Sequence, residues 1–271
     1  MNFGKAKKIL IFLFAFLNLF LIFQLYLNSG SKTNISKESI QKTISLVSSR
    51  GLEVSEDVVP KKIEVLSFLE LSNPLFDEQF VSEFYSYENI ETNETLKLSF
   101  KETEIKNEKE LLKFLNKAGF SSYSLVLNSK ITNPINGEST YFYQQSYNNH
   151  LIYGSSMNAV LKKNSVFLAE GNVYKIDNVK INDYTPVSPL QILLSISRSL
   201  DGNKAKVNEI KQGYYIPSES INYKNLTAVP CYIFTLNDNK FLFDAEKGEF
   251  LMCLTSDNAQ IYDLSIAFSS L

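Results

Sequence analysis

The sequence predicts an α+β protein: a single N-terminal transmembrane helix, then an ectodomain of tandem modules, each a helix packed on an antiparallel β-meander. Three observations predict it. Ile9 to Leu27 is an apolar run of nineteen residues preceded by Lys5, Lys7 and Lys8. Further along, one order of elements occurs twice: a stretch with helical apolar spacing, then strand-like runs joined by short polar connectors. The composition, 44% hydrophobic and 21% charged, suits a chain that buries a core.

A helix of nineteen residues spans about 30 Å, the thickness of a bilayer's hydrocarbon core. A cleaved signal peptide would carry a shorter apolar region and a small-residue cleavage site. Here the run continues into Gln24, Leu25, Tyr26, Leu27 and Asn28 instead. The lysines place residues 1–8 in the cytoplasm by the positive-inside rule, with everything beyond the helix outside the cell membrane. Asn18 sits at the centre of the run, where an unpaired amide is penalised. Ala15, Asn18, Ile22 and Leu25 fall on one stripe and form a candidate partner-binding face. Interhelical bonds of this kind are worth about 0.6–2 kcal/mol; the other reading is an amide bonding back to its own helix.

After a linker at 28–35, Ser36 reads as the N-cap of KESIQKTISLVSS, with Ile40, Ile44 and Val47 at helical spacing and Gly51 as a stop. The runs at 62–71 and 94–102 read as strands, and FDEQFVSEFYSY between them as a short helix or turn. These elements make an N-terminal part at 36–106. A module at 107–180 follows: a helix over 107–120 with Leu111, Leu112 and Leu115 on one face, then STYFYQQSY, LIYGSSMNAVLK and SVFLAEGNVYKI as strands. The second module, at 181–271, has Ser188 capping a helix over 189–200, then strands in KAKVNEIKQGYYI, VPCYIFTLN, KFLFDA and EFLMCL.

Charge excludes one class of partner. The formal net charge is −2, and the three lysines before the apolar run have no acid beside them. The body is therefore acidic and offers no electrostatic footprint for nucleic acid. Arginine occurs only at Arg50 and Arg198.

Catalytic signals are weak. The single histidine, His150, lies in a turn without metal-ligand spacing around it and reads as a solvated turn residue. Ser29-Gly30-Ser31-Lys32 matches an acyl-enzyme motif formally, without its partner motifs. Asp77-Glu78, Glu102/Glu104 and Asp244/Glu246 read as solvated surface charge. No catalytic residue, cofactor or metal is expected. Cys231 and Cys253 lie in the exported part, where a disulfide is permitted. A meander would put them on its two outer strands, too far apart to bridge. Tyr141, Tyr143 and Tyr147 recur along one strand. Core packing is one reading; a second is a partner-binding patch, because Tyr is enriched at interface hot spots.

Two resemblances arise from particular residues. Tyr147, Ile152, Tyr153 and Gly154, followed by a helix and then by Phe243, Asp244, Ala245 and Gly248, resemble the PepSY-type pattern. The run KILIFLFAFLNLFLIFQLY with VSSRGLEV at Val47 to Val54, spread over essentially the whole chain, resembles the YycI family. Those proteins are membrane-anchored companions of YycH that regulate the WalK sensor kinase of low-GC Gram-positive bacteria. The resemblance implies a non-enzymatic protein whose partners are a YycH-like protein and a WalK-type histidine kinase of the two-component system controlling cell-wall metabolism. The alternative is a PepSY-type extracytoplasmic inhibitor or chaperone of a peptidase or cell-wall hydrolase.

Overall fold

The computed structural model describes residues 13, 14, 16–18, 34–72, 85–87, 96–100, 105, 107–117, 120–162, 165–181, 184–200, 202–217, 226–255 and 260–269. Among them, a large mixed sheet dominates and few helices pack on it. No described helix is long and apolar enough to cross a membrane. Of the stretch 9–27, residues 13, 14 and 16–18 are described; they are helical and exposed. Ala15, Ile22 and Leu25 lie outside the described residues, as does Ser29 to Lys32.

Helix α1 (Lys37–Ser48) begins where its cap predicts, with the Ser36 side chain accepting from the Ser39 N–H at 3.2 Å. It buries Ile40 and Val47, and leads through Gly51 into β1 (Leu52–Val54). The strand expected over 62–71 is only β2 (Phe68–Ser72). Its first half is held differently: the Glu64 N–H donates to the Gln212 Oε1 at 2.9 Å, and Gln212 Nε2 donates to the Glu64 carbonyl at 2.8 Å. A side-chain amide there replaces a ladder partner. Of the segment expected as helix or turn, only Tyr85–Tyr87 is described, and it is strand β3, paired with β4 (Leu96–Phe100).

Helix α2 (Glu108–Lys117) buries Leu111 and Leu115 against β5 (Leu125–Thr132), β6 (Ser139–Tyr147), β7 (His150–Lys162) and β8 (Ser165–Asn172). These four strands form an antiparallel meander. The β6–β7 hairpin turns on Asn148 and Asn149, both at positive φ (47° and 67°), as a two-residue turn that follows the strand twist requires. β9 (Lys175–Lys180) departs and pairs with β2.

Helix α3 (Pro189–Ser199) starts at Ser188, whose Oγ accepts from the Leu190 N–H at 3.3 Å, with proline in its first turn. It buries Leu190, Ile192, Leu193 and Ile196 against the second antiparallel meander, β10 (Ala205–Tyr215), β11 (Leu226–Leu236), β12 (Asn239–Asp244) and β13 (Phe250–Leu254). Two further elements, β14 (Gln260–Ile261) and α4 (Leu264–Ser269), pack over this core.

The two meanders are not independent. β7 and β10 are long, and each pairs with the other module: Tyr214 with Ile152 and Tyr215 with Tyr153, in parallel. β1 also joins β10 in parallel, and α1 packs into the core of α3. The wholly antiparallel, modular sheet expected from sequence is therefore one mixed sheet. The cause is strand length: a strand longer than its hairpin partner has unpaired N–H and C=O groups, which the neighbouring module satisfies.

Candidate functional site

The seam between the meanders holds Ile152, Tyr153 and Gly154 of the PepSY-type pattern, and the pattern's other half forms the end of β12 and the turn after it. Ile152 and Tyr153 are its ladder residues, and the Ile216 N–H donates to the Tyr153 carbonyl at 2.9 Å. Gly154 adopts φ 92°, where a Cβ would lie 3.1 Å from Cβ of Ile216. Gly213 lies opposite Cys231 on β11, and a Cβ there would lie 2.8 Å from the Leu151 carbonyl oxygen. The approach of two backbones thus requires both glycines. Asp244, Ala245 and Gly248 make a turn: Asp244 Oδ1 accepts from the N–H groups of Glu246 and Lys247 at 2.7 and 2.8 Å. Ala245 also accepts from the Val187 N–H at 2.8 Å, tying the approach to α3 onto the sheet. All these motif residues have structural tasks.

His150 is not the solvated turn residue the sequence suggests. One ring nitrogen, Nδ1, lies 3.1 Å from the Gln212 carbonyl oxygen, and Nε2 lies 3.1 Å from Glu64 Oε2. The ring also meets Tyr214 edge-on at 6.3 Å. The parallel β7–β10 pairing draws the hairpin end down onto β10, so one imidazole joins three chain segments distant in sequence.

The tyrosine stripe divides. Tyr141 and Tyr143 are 6% and 1% exposed and pack under α2. Burial pushes the Tyr143 phenol well above its ordinary range, with Glu108 adding to it. Lys130 covers the Tyr141 ring at 5.0 Å. Neither side chain reaches a surface that a partner could touch. A β-bulge between Gln144 and Ser146 then rotates the strand, so half-buried Tyr147 packs elsewhere, edge-on to Tyr214 at 6.2 Å. Alternation along the sequence could not show the bulge.

That bulge turns four consecutive side chains, Tyr143 to Ser146, inward. Gln145 is fully buried; its Oε1 accepts from Ser155 Oγ at 2.6 Å and from the Tyr174 N–H at 3.0 Å, and its Nε2 donates to the Tyr174 carbonyl at 2.7 Å. The amide pins the β8–β9 connection to the meander. Gln145→Leu keeps the volume and removes all three bonds. It is expected to destabilise the fold by about 2–4 kcal/mol, read as a lowered urea midpoint. A midpoint unchanged from the parent would show that the amide has no structural role.

Cys231 and Cys253 are free and buried, on strands β11 and β13 that flank β12, as the meander requires. Burial pushes the Cys253 thiol up to about 11 and the Cys231 thiol higher still, which leaves both as packing groups.

The described residues also line open concavities. One, of about 580 Å³, is lined by Ser124, Ser146, Tyr147, Asn148 and Asn178, with Asp177 as its carboxylate. Another, of about 620 Å³, brings together Arg50, Arg198 and Lys204. Among the described residues no group of three or more His, Cys, Asp or Glu side chains is placed to hold a metal. Among the described residues the meander's outer strand β5 pairs only with β6; it exposes Val126 and Ile131, with Ile135 at the hairpin tip 93% exposed.

No family model matches the chain, and no curated protein does. Among solved structures it is similar to an uncharacterized protein from Eubacterium rectale, at 9% identity over 74% of this chain and 90% of that one, with a TM-score of 0.43. It is also similar to the C-terminal domain of YpeB from Bacillus megaterium, at 13% identity over 85% of this chain and 100% of that one, with a TM-score of 0.34. Neither score reaches the level at which two chains share a fold.

Proposed function

We propose that this chain is a single-pass, membrane-anchored regulator without catalytic activity, whose body lies outside the cell. It binds a YycH-like partner and, through that partner or its own helix, modulates a WalK-type sensor histidine kinase. On this reading the body is a pair of PepSY-like modules of the YycI type. Residues 9–27 cross the membrane, and Asn18 contributes to pairing between helices.

The observation that carries the reading is the layout: one lysine-preceded apolar run of membrane-spanning length, a polar linker, then an α+β body. The edge of β5, which no described strand covers, supports it as well. An exposed edge strand with apolar side chains can accept a partner's strand by backbone pairing.

Affinity purification of the intact chain from its native membrane tests the proposal. Recovery of the YycH-like protein and the kinase is expected, and recovery of neither would defeat it. Asn18→Leu is expected to insert normally but to weaken association with either helix about three- to thirtyfold in a membrane two-hybrid assay, matching a bond of about 0.6–2 kcal/mol. Unchanged association would remove Asn18 from the contact.

A further inference from the structure

Of the chain's 27 basic residues 25 are lysine, yet both arginines, distant in sequence, line one concavity. The fold gives the reason. α1 and α3 each end close to a glycine at positive φ, Gly51 at 91° and Gly202 at 87°, and each then leads into a strand. Those strands, β1 and β10, pair in parallel with Leu52 beside Ala205. Two parallel strands fed from the same end set the helix C-termini side by side. The Ala205 N–H closes the seam by donating to the Gly51 carbonyl at 3.1 Å. A Cβ on residue 51 would lie 2.8 Å from the Asn203 carbonyl oxygen, so the glycine allows the two ends to meet.

Arg50, Arg198 and Lys204 are exposed there, and none has an ion-pair partner among the described residues. Cations do complement the carbonyl ends of helices. That effect accounts for positive charge at this corner, but a lysine would serve it equally. It explains neither the choice of arginine nor the convergence on a space of ligand size. A guanidinium presents a planar fork to oxyanions and binds them bidentately. One fork saturates a carboxylate, whereas a phosphate has oxygens for two forks and an ammonium.

We infer that this concavity binds a phosphate-bearing anion, held by Arg50 and Arg198 with Lys204 as the third charge. The helix carbonyl ends oppose the anion, so affinity comes from the three side chains and falls with ionic strength. The site does not depend on the regulatory reading, because it rests on the described body alone.

The test is calorimetric titration of the full chain, in zwitterionic detergent at low salt, with inorganic pyrophosphate. A single saturable site is expected, weakened at least tenfold by Arg50→Gln or Arg198→Gln. Arg50→Lys, which keeps the charge but not the fork, should weaken it severalfold, and Lys113→Gln on α2 should leave it unchanged. No saturable binding, a double arginine variant that binds like the parent, or equal loss in Lys113→Gln would each overturn the inference. Nanodiscs distinguish the source. Pyrophosphate binding that persists in phosphatidylglycerol discs points to a free phosphate, and binding seen only in phosphatidylcholine discs points to a lipid headgroup already seated; both outcomes support the site.

Discussion

Gly171→Ala is expected to cost about 3–5 kcal/mol, a loss large enough to leave the β5–β8 meander only marginally folded. Gly171 lies on β8 between Met157 of β7 and Leu96 of β4, at φ 155°. A Cβ there would overlap the carbonyl oxygen of Ser156 and lie 2.6 Å from Cα of Met157. Both are backbone atoms of a strand already paired on its other side with β6, so neither can give way without breaking that ladder. Gly137→Ala is the matched control. Gly137 also has positive φ (70°), but nothing lies within 4 Å of its added Cβ, so only the conformational cost of about 1–2 kcal/mol applies. Urea unfolding of the two variants separates the effects, and equal losses would disprove the steric account.

Phe241→Ala is expected to cost about 3–5 kcal/mol, the range for emptying a buried phenyl site. The ring is fully buried on β12 and stacks on Phe268 of α4, with centroids 5.1 Å apart and planes 22° apart. Phe250 also packs on it, tilted by 48° with centroids 6.3 Å apart. Cross-strand neighbours Phe234 and Cys253 fix the backbone around the cavity, so the site cannot collapse to fill it. The C-terminal helix is short and depends on this stack. Limited proteolysis should therefore cut near 264–269 faster in Phe241→Ala than in the parent. A loss under about 1 kcal/mol with unchanged proteolysis would mean that α4 is held elsewhere.

What could be read from sequence follows from how local each signal is. The α3 helix was legible because a serine cap, a first-turn proline and an apolar stripe fall within one short window. β6 and β7 were legible because each has a buried side and their turn is only two asparagines long. β5 was not: seven of its eight residues are at least partly exposed, so an outer strand of the sheet carries no alternation to detect. β1 has three residues, too few for any period, and β2 lost its first half to a side-chain amide from the opposite end of the chain.

The candidate sites divide in the same way. Alternation placed Tyr141, Tyr143 and Tyr147 on one strand, but a bulge decides which core each enters, and burial withdraws Tyr141 and Tyr143 from any surface. His150 looked solvated because its partners, Glu64 and Gln212, lie 86 and 62 positions away. Arg50 and Arg198 were visible as a rarity of composition, without any sign that they share a site.

By itself the sequence determined helices α1 to α3, the strands that bury one side, the order of helix and meander, and the apolar, lysine-preceded run at its start. Each of these is fixed by side chains within a few turns or strand repeats of one another. Tertiary structure decided how the units join: the parallel β7–β10 and β1–β10 pairings, the histidine clasp and the arginine corner. Backbone groups left unpaired at strand ends find their partners in space, and no local period records which partner that will be.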